Sequence, residues 1–122
     1  MDQAVITLYA LLGSPSLGTI RVLGQIRGHW VVILLGTGTS HNFLDAMLVK
    51  TLQLAVDTIK ILEVKVANSD LIRIKGECMD LLLKMQGNEF HVNLHMLTLG
   101  GCDVVLGTQW LCTLGLVNWD FT

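Results

Sequence analysis

Apolar residues in this chain recur mostly at every second position, and that period argues for strands. From Thr19 onward, Ile20, Val22 and Ile26 alternate with Arg21, Leu23, Gln25 and Arg27, with Gly24 in the middle. After a turn at Gly28-His29, the run Val31 to Leu35 is apolar on both faces, as expected of a central strand buried from both sides. Asn42 to Leu52 is the main helix candidate. Leu44, Met47, Leu48, Thr51 and Leu52 share one face, and Asp45 near the start and Lys50 near the end suit the helix dipole. Ile59 to Val66 predicts a strand, Ala67-Asn68-Ser69-Asp70 a turn, and Leu71, Ile72 and Ile74 the return of a hairpin. A second hairpin runs out through Leu81, Leu83 and Met85, turns at Gln86-Gly87-Asn88, and returns through Phe90, Val92, Leu94 and Met96, which alternate with His91, Asn93 and His95. Gly100-Gly101 breaks the chain before a short apolar strand from Cys102 to Leu106. Thr108 is placed to cap a short helix through Leu114, with Gly115 as its stop, and Val117 to Phe121 predicts a closing strand. Residues 1–17 read as a lead-in, with Val5 to Leu12 a candidate edge strand before the turn cluster Gly13-Ser14-Pro15-Ser16. Residues 18–122 then form one mainly β domain with one or two short helices.

Composition narrows the class. In 122 residues, 52% hydrophobic and 15% charged content excludes disorder, and a chain of this length can bury a sizeable core. The net charge of −2 gives no electrostatic reason to expect nucleic acid or an anionic membrane as partner. The longest purely apolar run, Trp30 to Leu35, is far shorter than the roughly twenty residues a membrane helix needs. The positive mean hydropathy of +0.59 is therefore expected to reflect a dense core or a buried subunit interface. Asp2 and the lack of a basic start argue against a signal peptide. Cys78, Cys102 and Cys112 form no disulfide framework, which fits a reducing, cytoplasmic setting with the cysteines as small buried residues.

The candidate chemistry is sparse. Gly36-Thr37-Gly38 follows a buried strand, but a dinucleotide fingerprint needs a small residue where His41 stands, and the Lys-Ser/Thr of a P-loop is missing. No cofactor is expected. His91 and His95 are four apart on a strand, roughly 13 Å, too far to share one metal ion, and read as a solvent-facing edge. No metal site is expected, and His29 and His41 receive no role. Ser40 and Thr37 lack a nucleophile elbow. Asp103 precedes an apolar strand, where a lone carboxylate serves either as a base or, more commonly, in capping or pairing near the strand end.

The order of motifs nevertheless points somewhere. An apolar strand runs into Thr39-Ser40-His41-Asn42-Phe43. Then come Val66-Ala67-Asn68-Ser69-Asp70, Gln86-Gly87-Asn88-Glu89-Phe90, Gly101-Cys102-Asp103-Val104-Val105-Leu106-Gly107-Thr108-Gln109-Trp110-Leu111 and Asn118-Trp119-Asp120-Phe121. Over roughly residues 18 to 122 this resembles the retropepsin-like aspartic protease domain of gypsy-type retrotransposon polyproteins of plants. The resemblance implies a small closed β-barrel with a mobile hairpin flap, to which Val66, Ala67, Asn68 and Ser69 belong, over a cleft that takes a peptide or polyprotein segment. It also implies a homodimer. Each copy supplies half a site, with one catalytic Asp at the end of its central strand. One carboxylate of such a dyad acts as base toward water while the other, protonated, polarises the scissile carbonyl. Leu106 and Gly107 match a structural loop, and Asp103 matches a position with no catalytic role.

The chain departs from that pattern at one place. Counting back from His41-Asn42-Phe43, Gly38 is the motif glycine and Thr37 the motif threonine, so the Asp position is Gly36. Glycine has no group to hold a proton or orient water. The expectation is an aspartic endopeptidase domain that is inactive as written; the alternative is a peptide-binding or dimerisation module that keeps the protease fold.

Overall fold

The computed structural model describes residues 6–7, 19–36, 39–65 and 71–113. Nine strands and two helices lie in that part: β1 (Ile6–Thr7), β2 (Thr19–Ile26), β3 (His29–Gly36), β4 (Phe43–Asp45), α1 (Ala46–Leu52), β5 (Asp57–Lys65), β6 (Leu71–Met85), β7 (Asn88–Leu97), β8 (Leu99–Gly100), β9 (Val104–Leu106) and α2 (Thr108–Thr113). The main sheet runs β2-β3-β9-β4-β7-β6-β5, and a further pairing of β2 with β6 closes it into a barrel, with β5 left outside the ring. Closure rests on Gly24, which pairs with Met85. A Cβ on Gly24 would run into the Ile33 side chain and lie 2.6 Å from the Lys84 carbonyl oxygen. The glycine in mid-strand is thus where one sheet edge meets the other.

Strands buried on both faces split their side chains between two cores. Ile33 and Leu35 of β3, Leu44 of β4 and Val104 and Leu106 of β9 point into the barrel. Leu34, Phe43 and Val105, their neighbours along the same strands, join a second cluster with Val64, Ile74, Leu97 and Leu99. The period of two makes this division automatic. β6 is long enough to serve both hairpins. Its Ile74 faces the second core, while Cys78, Leu83 and Met85 face the first. The shift from even to odd positions takes place at a bulge between Cys78 and Leu81, where Asp80 has φ 53° and its amide donates to Asn93 Oδ1 at 2.7 Å.

Several boundaries differ from the sequence reading. The first turn is Arg27-Gly28, both with positive φ, as a two-residue hairpin turn requires, and His29 already belongs to β3. The helix begins at Ala46, because Phe43–Asp45 is a strand wedged between β7 and β9. Its buried residues are Val49 and Leu52, and Met47 is exposed. Asp45 stands at the helix N-cap but makes no capping bond; its Oδ1 accepts from the Leu99 amide at 3.0 Å. β1 pairs in parallel with β8, Ile6 opposite Leu99. The turn at Gly13 to Ser16, the Gly115 stop and the strand from Val117 to Phe121 lie outside the described residues.

Asp103 ties three elements together. Its Oδ2 accepts from the Val32 amide at 2.7 Å, its own amide donates to the Val32 carbonyl at 2.9 Å, and its carbonyl accepts from the Asp45 amide at 2.9 Å. This is the pairing role. Next to it Cys102 is buried, and burial, reinforced by the Asp103 charge, pushes its thiol up to about 11. Asp103→Ala leaves the Val32 N–H without its acceptor and is expected to cost roughly 1–3 kcal/mol of stability, read from urea unfolding midpoints at an unchanged slope.

Candidate functional site

Residues 39–42 are fixed by the turn that follows β9. Gly36 ends β3, buried and opposite Thr19. Thr37 and Gly38 lie outside the described residues, as do Val66, Ala67, Asn68 and Ser69. From Thr39 the chain is pinned. The Thr39 carbonyl accepts from the Thr108 amide at 2.9 Å and the Ser40 carbonyl from the Gln109 amide at 3.0 Å. Asn42 Oδ1 accepts from the Gly107 amide at 2.9 Å. These donors are amides at the start of α2, which have no partner inside the helix. Gly107 is packed so tightly that a Cβ would lie 2.5 Å from both the Thr39 and the His41 carbonyl oxygens. Leu106, one residue earlier, is fully buried in the first core. The pair therefore joins the barrel interior to the underside of the loop.

The β5–β6 hairpin packs one face onto the second core. Leu62, Val64, Ile72 and Ile74 pack against the second core, which includes Phe43, Leu97, Leu99 and Val105. The opposite face of the hairpin is exposed at Ile59, Ile61 and Leu71.

Among the described residues every carboxylate is engaged with a partner other than Gly36. Asp45, Asp57 and Asp103 accept from backbone amides. Glu63 pairs with Arg73, Glu89 with Lys84, Asp80 with His91 and Glu77 with His95. Among the same residues no three His, Cys, Asp or Glu side chains gather as metal ligands.

The two histidines of β7 part company. His91 is exposed beside Asp80, as a solvent-facing strand position should be. His95 is not solvent-facing: its side chain is only 18% exposed. β4 lies alongside with Phe43 opposite His95, and the His95 amide donates to the Asn42 carbonyl at 2.9 Å. The His41 ring meets the His95 ring edge-on, centroids 5.8 Å apart. Glu77, directly across on β6, places Oε2 3.7 Å from His95 Nε2. Burial holds His95 below its ordinary value of 6.5, Glu77 opposes that and His41 adds to it. The neutral form of the imidazole is thereby favoured. His41, Glu77 and His95 drew no notice in the sequence as a group. Alternation puts His95 on the outer face, and what covers it comes from a segment some fifty residues earlier.

Comparison with known proteins fits this architecture. Residues 14–118 match the family model described as retroviral aspartyl protease. Among solved structures, the chain is similar to the retroviral protease-like domain of Ddi1 from Leishmania major. The TM-score is 0.62 at 12% identity, over 80% of this chain and 78% of that one. At that identity the likeness speaks to fold alone. No curated protein matches the sequence.

Two outcomes follow from the geometry. Gly107→Ala must push the loop at Thr39–His41 away and is expected to cost about 1–3 kcal/mol, with amide shifts in heteronuclear NMR centred on residues 39–42. For His95, the lowered folded value means that its stabilising share is complete above 6.5 and is lost as pH falls through the folded value, because the unfolded chain takes the proton first. His95→Asn is expected to flatten the fall in unfolding free energy below pH 6.5, relative to the unmodified chain.

Proposed function

We propose that this chain, which belongs to the retroviral aspartyl protease family, is the retropepsin-like domain of a retrotransposon polyprotein of the plant gypsy type, silent as a peptidase because Gly36 holds the place of the catalytic Asp. The observation that carries the reading is the end of β3: a buried glycine where this architecture needs an acid, with every described carboxylate committed to another partner. Two copies pair about the loop, with Thr37 and Gly38 at the twofold axis, and residues 66–69 of each flap close over a bound peptide. A symmetric pair loses both carboxylates at once, so neither a base for water nor an acid for the carbonyl oxygen remains. Loss of one general acid or base costs about 10²–10⁴-fold in rate, and removing a whole catalytic unit costs more. The setting is intracellular and reducing, in keeping with Cys78 and Cys102 as free thiols.

The unmodified chain is expected to leave a peptide library intact at pH 4–6, and Gly36→Asp to restore cutting that pepstatin blocks, by a factor of at least about 10³. Sedimentation and circular dichroism on both proteins establish that each is folded and paired. Pepstatin-sensitive cleavage by the unmodified chain would falsify the proposal of a silent site.

A further inference from the structure

A cavity of about 430 Å³ lies between the Arg27-Gly28 turn, the segment after α1 and the middle of β6. Its floor is Leu54 and Cys78, both buried in the first core, with Leu81 half-buried beside them. Burial pushes the Cys78 thiol above its ordinary value of 9.0, against the pull of the Arg27 charge, so the floor is apolar and uncharged at neutral pH. Four polar side chains line the rim: Gln25, Arg27, Asp80 and Lys84. Two of these face residues outside the cavity. Lys84 Nζ stands 3.7 Å from Glu89, and Asp80 Oδ1 3.2 Å from His91. All four of those side chains are more than half exposed, so water screens their charges. Arg27 differs. Its Nη1 donates to the Leu52 carbonyl at 3.1 Å, and among the described residues no carboxylate pairs with it. A guanidinium carries five N–H donors, so the bond to Leu52 fixes the group and leaves donors over.

We infer that this cavity binds a carboxylate carried on an aliphatic body, with the Arg27 guanidinium as its countercharge and Leu54, Cys78 and Leu81 against the aliphatic part. The planar guanidinium matches the two oxygens of a carboxylate with parallel N–H donors, a fit that a chloride ion or a neutral amide lacks. The apolar floor gives the rest of such a ligand a place away from water. The volume suits a small ligand, whose sites are roughly 300–1,000 Å³. Two sources offer this chemistry: a free aliphatic acid, and the C-terminal carboxylate of a polypeptide that ends in aliphatic residues. If Arg27 served only to cap α1 through Leu52, an acid and its amide would be indistinguishable here. The site goes beyond the peptidase reading and is independent of it, since it uses neither Gly36 nor residues 66–69.

The test is a titration of the full chain at neutral pH, followed by heteronuclear NMR, with octanoate and Nα-acetyl-leucyl-leucine as the two sources, each against its own amide. Saturable shifts at Arg27, Leu54, Cys78 and Leu81 are expected for at least one acid, with Kd on the order of 1 mM, and its amide is expected to bind at least about tenfold more weakly. The acid that binds more tightly identifies the source. Acetate, a carboxylate with no aliphatic body, is expected to bind at least about tenfold more weakly than that acid. These comparisons use the unmodified chain and so do not depend on any variant folding. Arg27→Gln is expected to weaken binding at least about tenfold, and Lys84→Gln by less than about threefold. Absence of saturation by either acid, equal binding of an acid and its amide, acetate binding as tight as either acid, or unchanged affinity in Arg27→Gln overturns the assignment.

Discussion

Everything at the loop end of this molecule depends on one close approach, the backbone of Gly107 lying against the carbonyls of Thr39 and His41. Without a Cβ there, the start of α2 can donate its free amides to Thr39 and Ser40, and Asn42 can reach the Gly107 amide. The loop that leaves β3 is thereby fixed from beneath by a segment some seventy residues later. Hydrogen bonds of this kind contribute about 1 kcal/mol each, but their joint effect is positional: they decide where residues 39–42 lie. Gly107 thus sets where residues 39–42 lie.

That joint in turn depends on strands with no solvent face. β3, β4 and β9 send successive residues into two different cores, so none of them can slip by one position without exchanging its two buried sets. Asp103 reinforces the register by bonding Val32 with both its amide and its side chain. A substitution at the tip of β3 therefore leaves the support of the barrel intact. Gly36 ends a strand whose hold comes from Ile33, Leu34 and Leu35, so that hold does not depend on the residue at position 36.

How much of this was legible in the sequence follows from the range of each interaction. The strands were, because alternation and the two-faced run Val31 to Leu35 are local signals. The strand character of Phe43 and Leu44 was not. Their apolar spacing also suits a helix, and only the flanking β7 and β9 decide otherwise. Gly24 was noted as an interruption, while its reason, contact with Lys84 across the closure, lies sixty residues away. Of the site, Gly36 and Gly107 were marked by the resemblance and by their neighbours in the chain. The grouping of His41, Glu77 and His95 was invisible, since it is assembled from three separate segments, and a period of two predicts only that His95 leaves the barrel, not that another strand covers it.

His95 also shows why proximity of opposite ionisable groups is a poor guide to charge. Its nitrogen stands 3.7 Å from the Glu77 oxygen, a separation that reads as an ion pair. Yet it is hemmed in by Phe43 and His41 and has lost most of its water. The cost of desolvating an imidazolium there outweighs what Glu77 returns, so its proton affinity falls rather than rises. The ring packs against His41 and Phe43 on one side, with Glu77 across from it on β6.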